Sequence, residues 1–398
     1  MATRTRKSAI YLKAETSYGS EDTSGTSDGS GFTAVKCLSL DLLTDQTQML
    51  DTAFATGRNR QSAPEVGPDG AQVSFSVPVQ GLLTHAGDGT NASTIANDWF
   101  DMLLTNVFGA ATTTQGEGID AAATASSLVT DADTYTNQDM AAVQGASYNG
   151  GKVNWRRLTG TASPYTLDRD FAGGDLDGTE VSYGAKMYRP GTPGATLSAC
   201  YDLDGTIYLL LGGRISSMSI TMNAGELATV SITMDFDSKA VDATKTALPT
   251  IGTFAGTPVK GLLGAFAWGT TEYAAKSVVI DFGITAQPDS TVSTANGRSD
   301  IDVISTYPTV TVEPAFATTY ETDLRAGTAR ILSIQLGSGV VSGGAMNACS
   351  MFMESARLTE SNAADDGGRL RNSLTFQCVD AGIFTGSIIA NYFQFSRG

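Results

Sequence analysis

Ser217-Met218-Ser219-Ile220-Thr221-Met222-Asn223-Ala224-Gly225-Glu226-Leu227-Ala228-Thr229-Val230-Ser231-Ile232-Thr233-Met234-Asp235-Phe236-Asp237 alternates apolar and polar residues on both sides of the turn-like Asn223–Glu226. Successive side chains of a strand point to opposite faces, so a period of two sorts them onto one oily and one polar face. The stretch predicts a long antiparallel hairpin whose second face carries Ser, Thr and Asp. Val73, Phe75, Val77 and Val79 repeat the pattern upstream, and Leu374, Phe376 and Cys378 repeat it near the end. The fold class that follows is mainly β.

Helical spacing is confined to two places. In Thr94–Phe108, Ile95, Trp99, Leu103 and Val107, with Phe100, Leu104 and Phe108, recur at three and four. This predicts a helix packed on a sheet, with Asp98 and Asp101 on its outer face. Asn91 or Ser93 would cap its start and Gly109 its end. Thr319–Ala326 is a second, weaker helical segment at the corresponding place in the second half.

That correspondence extends along the chain. Arg214-Ile215, Gly225-Glu226-Leu227 and Ser231–Met234 match Arg357-Leu358, Gly368-Arg369-Leu370 and Ser373–Phe376; eleven positions separate Arg from Gly in both. Each half also has an upstream strand (Val35–Leu43; Ser277–Thr285), a polar loop and a return strand (Gln72–Val79; Thr309–Glu313). Repeated order predicts a duplicated domain. The divisions expected are residues 1–110 with 201–245, then 246–398, with 111–200 an inserted small β-module. Within the module Trp155 is read as a core residue beside solvated Arg156 and Arg157.

Composition excludes several functions. The chain of 398 residues has 25 Lys and Arg against 41 Asp and Glu, a formal charge of −16. Only 17% of residues are charged, so Gly, Ala, Ser and Thr dominate its polar positions. Tight binding to phosphate backbones needs clustered Lys and Arg, which this balance does not favour. The single histidine, His85, removes most zinc sites and most Ser-His or Cys-His catalysis. Cys37, Cys200, Cys349 and Cys378 form no CxxC pair and are expected as free, buried thiols. No apolar run reaches membrane-span length, and the N-terminus lacks a signal-type apolar core.

The candidate chemical motifs fail individually. Asp168, Asp170 and the acidic stretch around Asp175–Asp177 do not complete a calcium loop, because Ala172 and Thr179 occupy ligand positions. Asn91-Ala92-Ser93 is a chance sequon, and the Gly337–Gly344 region has no Lys-Ser/Thr to meet a nucleotide. Asp235/Asp237 and Asp300/Asp302 read as acidic stripes on exposed strand faces. No catalytic residue, metal site or cofactor is expected, and the chain is not read as an enzyme. Copies closed into a ring would line a channel with Ser, Thr and Asp, and such a wall would repel DNA phosphates.

Three stretches resemble the tail tube proteins of long-tailed phages, of the non-contractile type. Thr5–Gly19, with Glu15-Thr16-Ser17-Tyr18-Gly19, is similar to the family's first strand and its E-T-x-Y-G turn. Asp204–Arg214, running into Asn223–Glu226, resembles its central D-G…L-x-G-x-R…A-G-E hairpin. Ala356-Arg357-Leu358 with Ser373–Cys378 fits its closing hairpin. The resemblance implies β-sandwich tube domains, each with a flanking helix, whose inner sheets join across subunits into a β-barrel tube, with the module on the outside. It implies a virion protein, assembled in the host cytoplasm, that forms stacked rings around a tape-measure protein and later passes DNA. Two tube domains per chain imply a trimeric ring with pseudo-sixfold symmetry; a single domain would imply a hexamer. Tail terminator and distal tail proteins are the further partners, with no membrane.

Thr229, Ser231, Thr233, Asp235 and Asp237 are the lumen-facing candidates. Ring-stacking candidates lie in the loops Gln46–Gly70 (Arg58, Arg60) and Gln287–Ile301 (Arg298, Asp300). The competing class is a β-rich fibre or adhesin, and a polysaccharide-degrading enzyme would need a carboxylate pair in an aromatic cleft.

Overall fold

The computed structural model describes residues 8–20, 30–41, 44–45, 49–50, 65–66, 70–81, 98–114, 119–120, 122–130, 135, 139–144, 154–160, 162–171, 176, 181–183, 185–246, 248–250, 258–261, 264–291, 298–341, 345–379 and 393–397. The chain starts with β1 (Ser8–Ala14), β2 (Thr33–Val35) and β3 (Ser39–Leu40). Short β4 (Thr44–Asp45), β5 (Met49–Leu50) and β6 (Glu65–Val66) lead to β7 (Ala71–Pro78) and α1 (Trp99–Phe108). Next come β8 (Thr112–Thr113), β9 (Ser127–Leu128), β10 (Met140–Gln144), β11 (Asn154–Thr159), β12 (Tyr165–Leu167) and β13 (Val181–Tyr183). After β14 (Lys186–Tyr188) and β15 (Leu197–Leu203) follow the long β16 (Thr206–Asn223), β17 (Thr229–Phe236) and β18 (Ser238–Val241).

A second series begins with β19 (Ala265–Trp268), β20 (Thr271–Tyr273) and β21 (Ala275–Asp281). The hairpin β22 (Ile284–Ser290) and β23 (Arg298–Thr306) precedes β24 (Thr309–Pro314) and α2 (Thr319–Ala326). β25 (Ala329–Val341), β26 (Ala345–Asp366), β27 (Arg369–Cys378) and β28 (Phe393–Arg397) complete the chain. The fold is mainly β, with two helices among the described residues.

The two series pair alike. Antiparallel order β3–β7–β17–β16 in the first is matched by β21–β24–β27–β26 in the second. Outside these, β2–β1–β15–β16 is matched by β20–β19–β25–β26. Even the irregularities coincide. β15 and β16 pair Leu197 with Gly213 and then Ala199 with Leu210; β25 and β26 pair Arg330 with Ala356 and then Leu332 with Met353. A second slip follows Ile215–Met234 in one hairpin and Leu358–Phe376 in the other. Bulges bend a strand and increase its twist, so their matching places give both long hairpins the same turn from one layer into the next. The series join edge to edge where β16 pairs β21, Ser219 opposite Asp281 through Asn223 opposite Ser277.

Alternation builds the core as the sequence predicts. Val77, Val230, Ile220, Ile280, Val310 and Phe376 sit opposite one another across six strands, and all are buried. α1 lays Phe100, Leu103, Leu104, Val107 and Phe108 on this cluster. Its N-cap is Asp98, which accepts from the Phe100 and Asp101 amides, rather than Asn91 or Ser93, which lie outside the described residues. Gly109 closes it as expected, and α2 spans the expected Thr319–Ala326.

Three expectations are corrected. Asp98 and Asp101 are not free on an outer face: Asp98 is paired at 2.8 Å with the fully buried Arg397 of β28, and the half-buried Asp101 meets Lys186 at 2.7 Å and the Tyr188 hydroxyl. The strands of residues 111–200, expected as an inserted small β-module, divide between two sheets. β9–β13 make a separate five-stranded sheet, whereas β8, β14 and β15 belong to the main one. Arg156 and Arg157 are buried, not solvated. Arg156 donates to the Asp170 and Trp155 carbonyls, and Arg157 lies 4.7 Å from the Phe352 ring centroid and 3.5 Å from Glu354. Trp155, fully buried as expected, packs with Met140, Met187 and Phe352, so the small sheet is docked on the second series through a core of its own.

β28 has no counterpart in the sequence reading. It lies between β14 and β26 and is held by Arg397, which also donates to the Gln80 and Gly81 carbonyls and stacks on Phe100. Burial alone would lower the pKa of this guanidinium, but Asp98, Tyr188 and Cys349 raise it, so the charge is kept. Removing one member of a buried pair strands the other charge. Arg397→Met should therefore lower the stability of the unassembled chain by about 3–5 kcal/mol in urea unfolding; a loss under about 1 kcal/mol would show that the pair does not seat β28.

Candidate functional site

The polar face of the eight-strand arrangement is the candidate functional surface. Ser39, Ser76, Ser231, Ser219, Asp281, Thr309 and Gln377 stand opposite one another in a single transverse row. The next row runs Thr229, Thr221, Val279, Thr311, Thr375 and Glu360. Hydroxyls join neighbours across the strands, Ser39 with Ser76 at 2.6 Å and Ser74 with Thr233 at 3.0 Å. Gln72 donates to Asp235 at 2.7 Å, leaving a net acidic contribution there. Asp281, Glu313 and Glu360 add further carboxylates, while Arg371 and Lys276 at the margin are both engaged by Asp366. Arg357, exposed on β26, continues the first row beyond Gln377, so the face offers many short hydroxyl contacts and carboxylates with a cation at its β26 edge.

Of the sequence-derived candidates, Thr229, Ser231, Thr233 and Asp235 lie together on this face, half-buried or exposed. Asp237 does not: it is 4% exposed. β17 ends at Phe236, and Asp237 donates its amide to Leu211 as the chain crosses to β18. Strict alternation fails there because the strand changes partner. Asp300 is half-buried on β23, its carboxylate accepting from the Ile301 amide and its pKa raised by burial. Arg298 stands opposite Ser290 on the same hairpin. Arg58 and Arg60 lie outside the described residues.

The structure gives the motif residues a shared role that sequence reasoning missed. Glu15 is buried and its carboxylate accepts from the Gly19 and Gly212 amides and the Thr196 and Ser198 hydroxyls. Gly212 has φ +70° and Gly213 is pressed between Phe236 and Leu197, so β16 can bend here from one layer into the other. Arg214 then donates to the carbonyls of Asn106, Gly194 and Ile301, fastening α1, the approach to β15 and the β22–β23 hairpin to one point. The E-T-x-Y-G turn and the L-x-G-x-R strand are two halves of one buried joint. The spacing of the motifs in the sequence could not show that they meet.

This joint and the two matched hairpins stand within the span of a family model described as phage tail tube protein, which matches residues 5–378. The chain belongs to the phage tail tube protein family. It is therefore a structural component of the virion tail. A search of the curated proteins found no match. Among the described residues, no group of three or more His, Cys, Asp or Glu side chains is arranged to hold a metal ion.

The joint is testable in this tail tube protein. A Cβ at Gly213 would stand 2.4 Å from the Phe236 ring and 2.5 Å from the Leu197 carbonyl. Gly213→Ala should cost about 1–3 kcal/mol through forced displacement of β16; an unchanged urea midpoint would show the joint to be slack.

Proposed function

We propose that the chain polymerises as stacked rings into the tail tube of a non-contractile phage, enclosing the tape-measure protein and later passing DNA. It acts as two tube domains in one chain, 1–110 with 201–245 and 246–398, so three chains make a pseudo-sixfold ring. The observation that carries this reading is the β16–β21 join. It shows one four-strand unit adding to the next in register, and it leaves the two outer edges complementary. Among the described residues, β3 has no strand opposite β7's side, and Thr359–Asp366 of β26 has none opposite β27's side. Repeating the same join between chains consumes both edges, which a closed barrel requires.

In this assembly the hydroxyl and carboxylate rows form the lumen, with Thr229, Ser231, Thr233 and Asp235 in it. The small five-stranded sheet packs on the β19–β25–β26 layer, away from that face, and so decorates the exterior. The β22–β23 hairpin, with Arg298 and Asp300, and the loop with Arg58 and Arg60 reach toward the adjacent ring. Tail terminator and distal tail proteins would cap the two ends, and assembly takes place in the host cytoplasm.

Negative-stain microscopy with native mass measurement of the purified protein should show rings of three 41.3 kDa chains. Six chains per ring would overturn the fused-pair reading, and persistent monomers at high concentration would overturn the tube. Charge reversal at Arg58 and Arg60 together should block polymerisation; tubes of normal length would remove them from stacking. Asp235→Asn with Asp281→Asn should slow DNA ejection in a time-resolved release assay while tubes form normally; unchanged ejection would remove the acidic wall from the mechanism.

A further inference from the structure

The hairpin tips of the two series are finished differently. In the first, Pro258–Gly261 crosses the β16–β17 tip as an added strand. Val259 donates to the Val79 carbonyl, and its own carbonyl accepts from Ala228, both at 2.9 Å; Lys260 bridges Leu227, and Gly261 exchanges bonds with Gly225 and Glu226. Val79, Ala228 and Val259 are all fully buried. In the second, the pairing register puts Phe316 where Val79 stands and Leu370 where Ala228 stands, one step beyond the Ala315–Arg371 bridge. Phe316 is 41% exposed and Leu370 51% exposed, and among the described residues no segment crosses them. Two large apolar side chains are thus exposed where the same register, continued one step, covers small ones in the first series.

The covering segment belongs to the incoming unit. Pro258–Gly261 precedes β19, the first strand of the second series, and Val259 lies nine residues before Trp268. Leu12 of β1 holds the place of Trp268, since each pairs with the first residue after the matching bulge, Ala199 and Leu332. Nine residues before Leu12 is Thr3. Seven residues precede β1, enough to supply a segment of the same length as Pro258–Gly261 at the same spacing. In the tube reading proposed above, the unit beginning with β1 borders another copy of the chain on its β3 edge.

We propose that residues 2–5 of one chain form the missing crossing strand on a neighbouring chain, with Thr3 between Phe316 and Leu370 and antiparallel to the start of β27. This rests on the tube reading and adds to it an N-terminal clasp that covers the exposed apolar pair at each junction between chains. The junction within the chain and the junction between chains then have the same construction, one built from the interdomain segment and the other from the N-terminus. The clasp acts across chains only, so it is made as rings close.

The test mixes two variants that each add one cysteine to the four of the chain, Thr3→Cys and Leu370→Cys, under mild oxidation after assembly, with the unsubstituted chain as the background for its own thiols. Paired antiparallel strand positions come close enough for a disulfide. In rings, disulfide-linked dimers containing one chain of each variant should exceed those from either variant alone by about tenfold or more. Leu227→Cys with Lys260→Cys in one chain serves as the positive control for the geometry. Rings by microscopy without the mixed dimer, while that control closes, would overturn the clasp and leave the tube reading standing. Absence of rings in the unmodified protein would overturn both. A second variant lacking residues 2–5 should keep the monomer's melting temperature and need a higher protein concentration to assemble; an unchanged assembly threshold would also overturn the clasp.

Discussion

β16 has to belong to two layers. Its first part pairs with β15 and β18, and its second part with β17 and β21. A strand of 18 residues can do this only if it bends sharply without losing its hydrogen bonds. Two glycines, a buried carboxylate and a buried guanidinium solve the problem at one place. Glu15 satisfies amides and hydroxyls that would otherwise be orphaned inside the protein, and Arg214 satisfies carbonyls from three different segments. Remove the bend and the polar face, the apolar face and the join to the second series lose their common frame.

Much of this frame was legible because alternation is a local signal. The β7, β17 and β27 faces follow from period two, and Thr319–Ala326 was readable as a helical segment. What escaped depends on residues far apart in the chain. Asp237 continues the written pattern but not the strand, because β17 ends one residue earlier. Arg156 and Arg157 look like solvated charges until Glu272, Glu354 and Phe352 are brought to them from the second series. β28 is five residues ending in a charge, and only Asp98 and the β14 and β26 edges make it a strand. The motifs around Glu15 and Arg214 were visible, but their contact was not.

The small sheet shows how an insertion is tolerated without loosening the frame. It enters after α1 and leaves before β15, a connection between layers in both series. Its arginines are spent on holding it to the second series, so the position of the sheet is fixed by charge-assisted contacts as well as by Trp155 and Met187. The shared core of the two series runs beneath it undivided.

The β16–β21 seam lies inside a single polypeptide. Its two edges are tethered, so they meet at an effective concentration on the order of millimolar however dilute the protein is. Contacts between separate chains have no such advantage and must wait for encounter. In the proposed ring, a covalent tether at every second seam leaves only half of the seams to form between separate chains and excludes rings with an odd number of units. On that proposal, the chain limits the ring sizes open to it before any two copies have met.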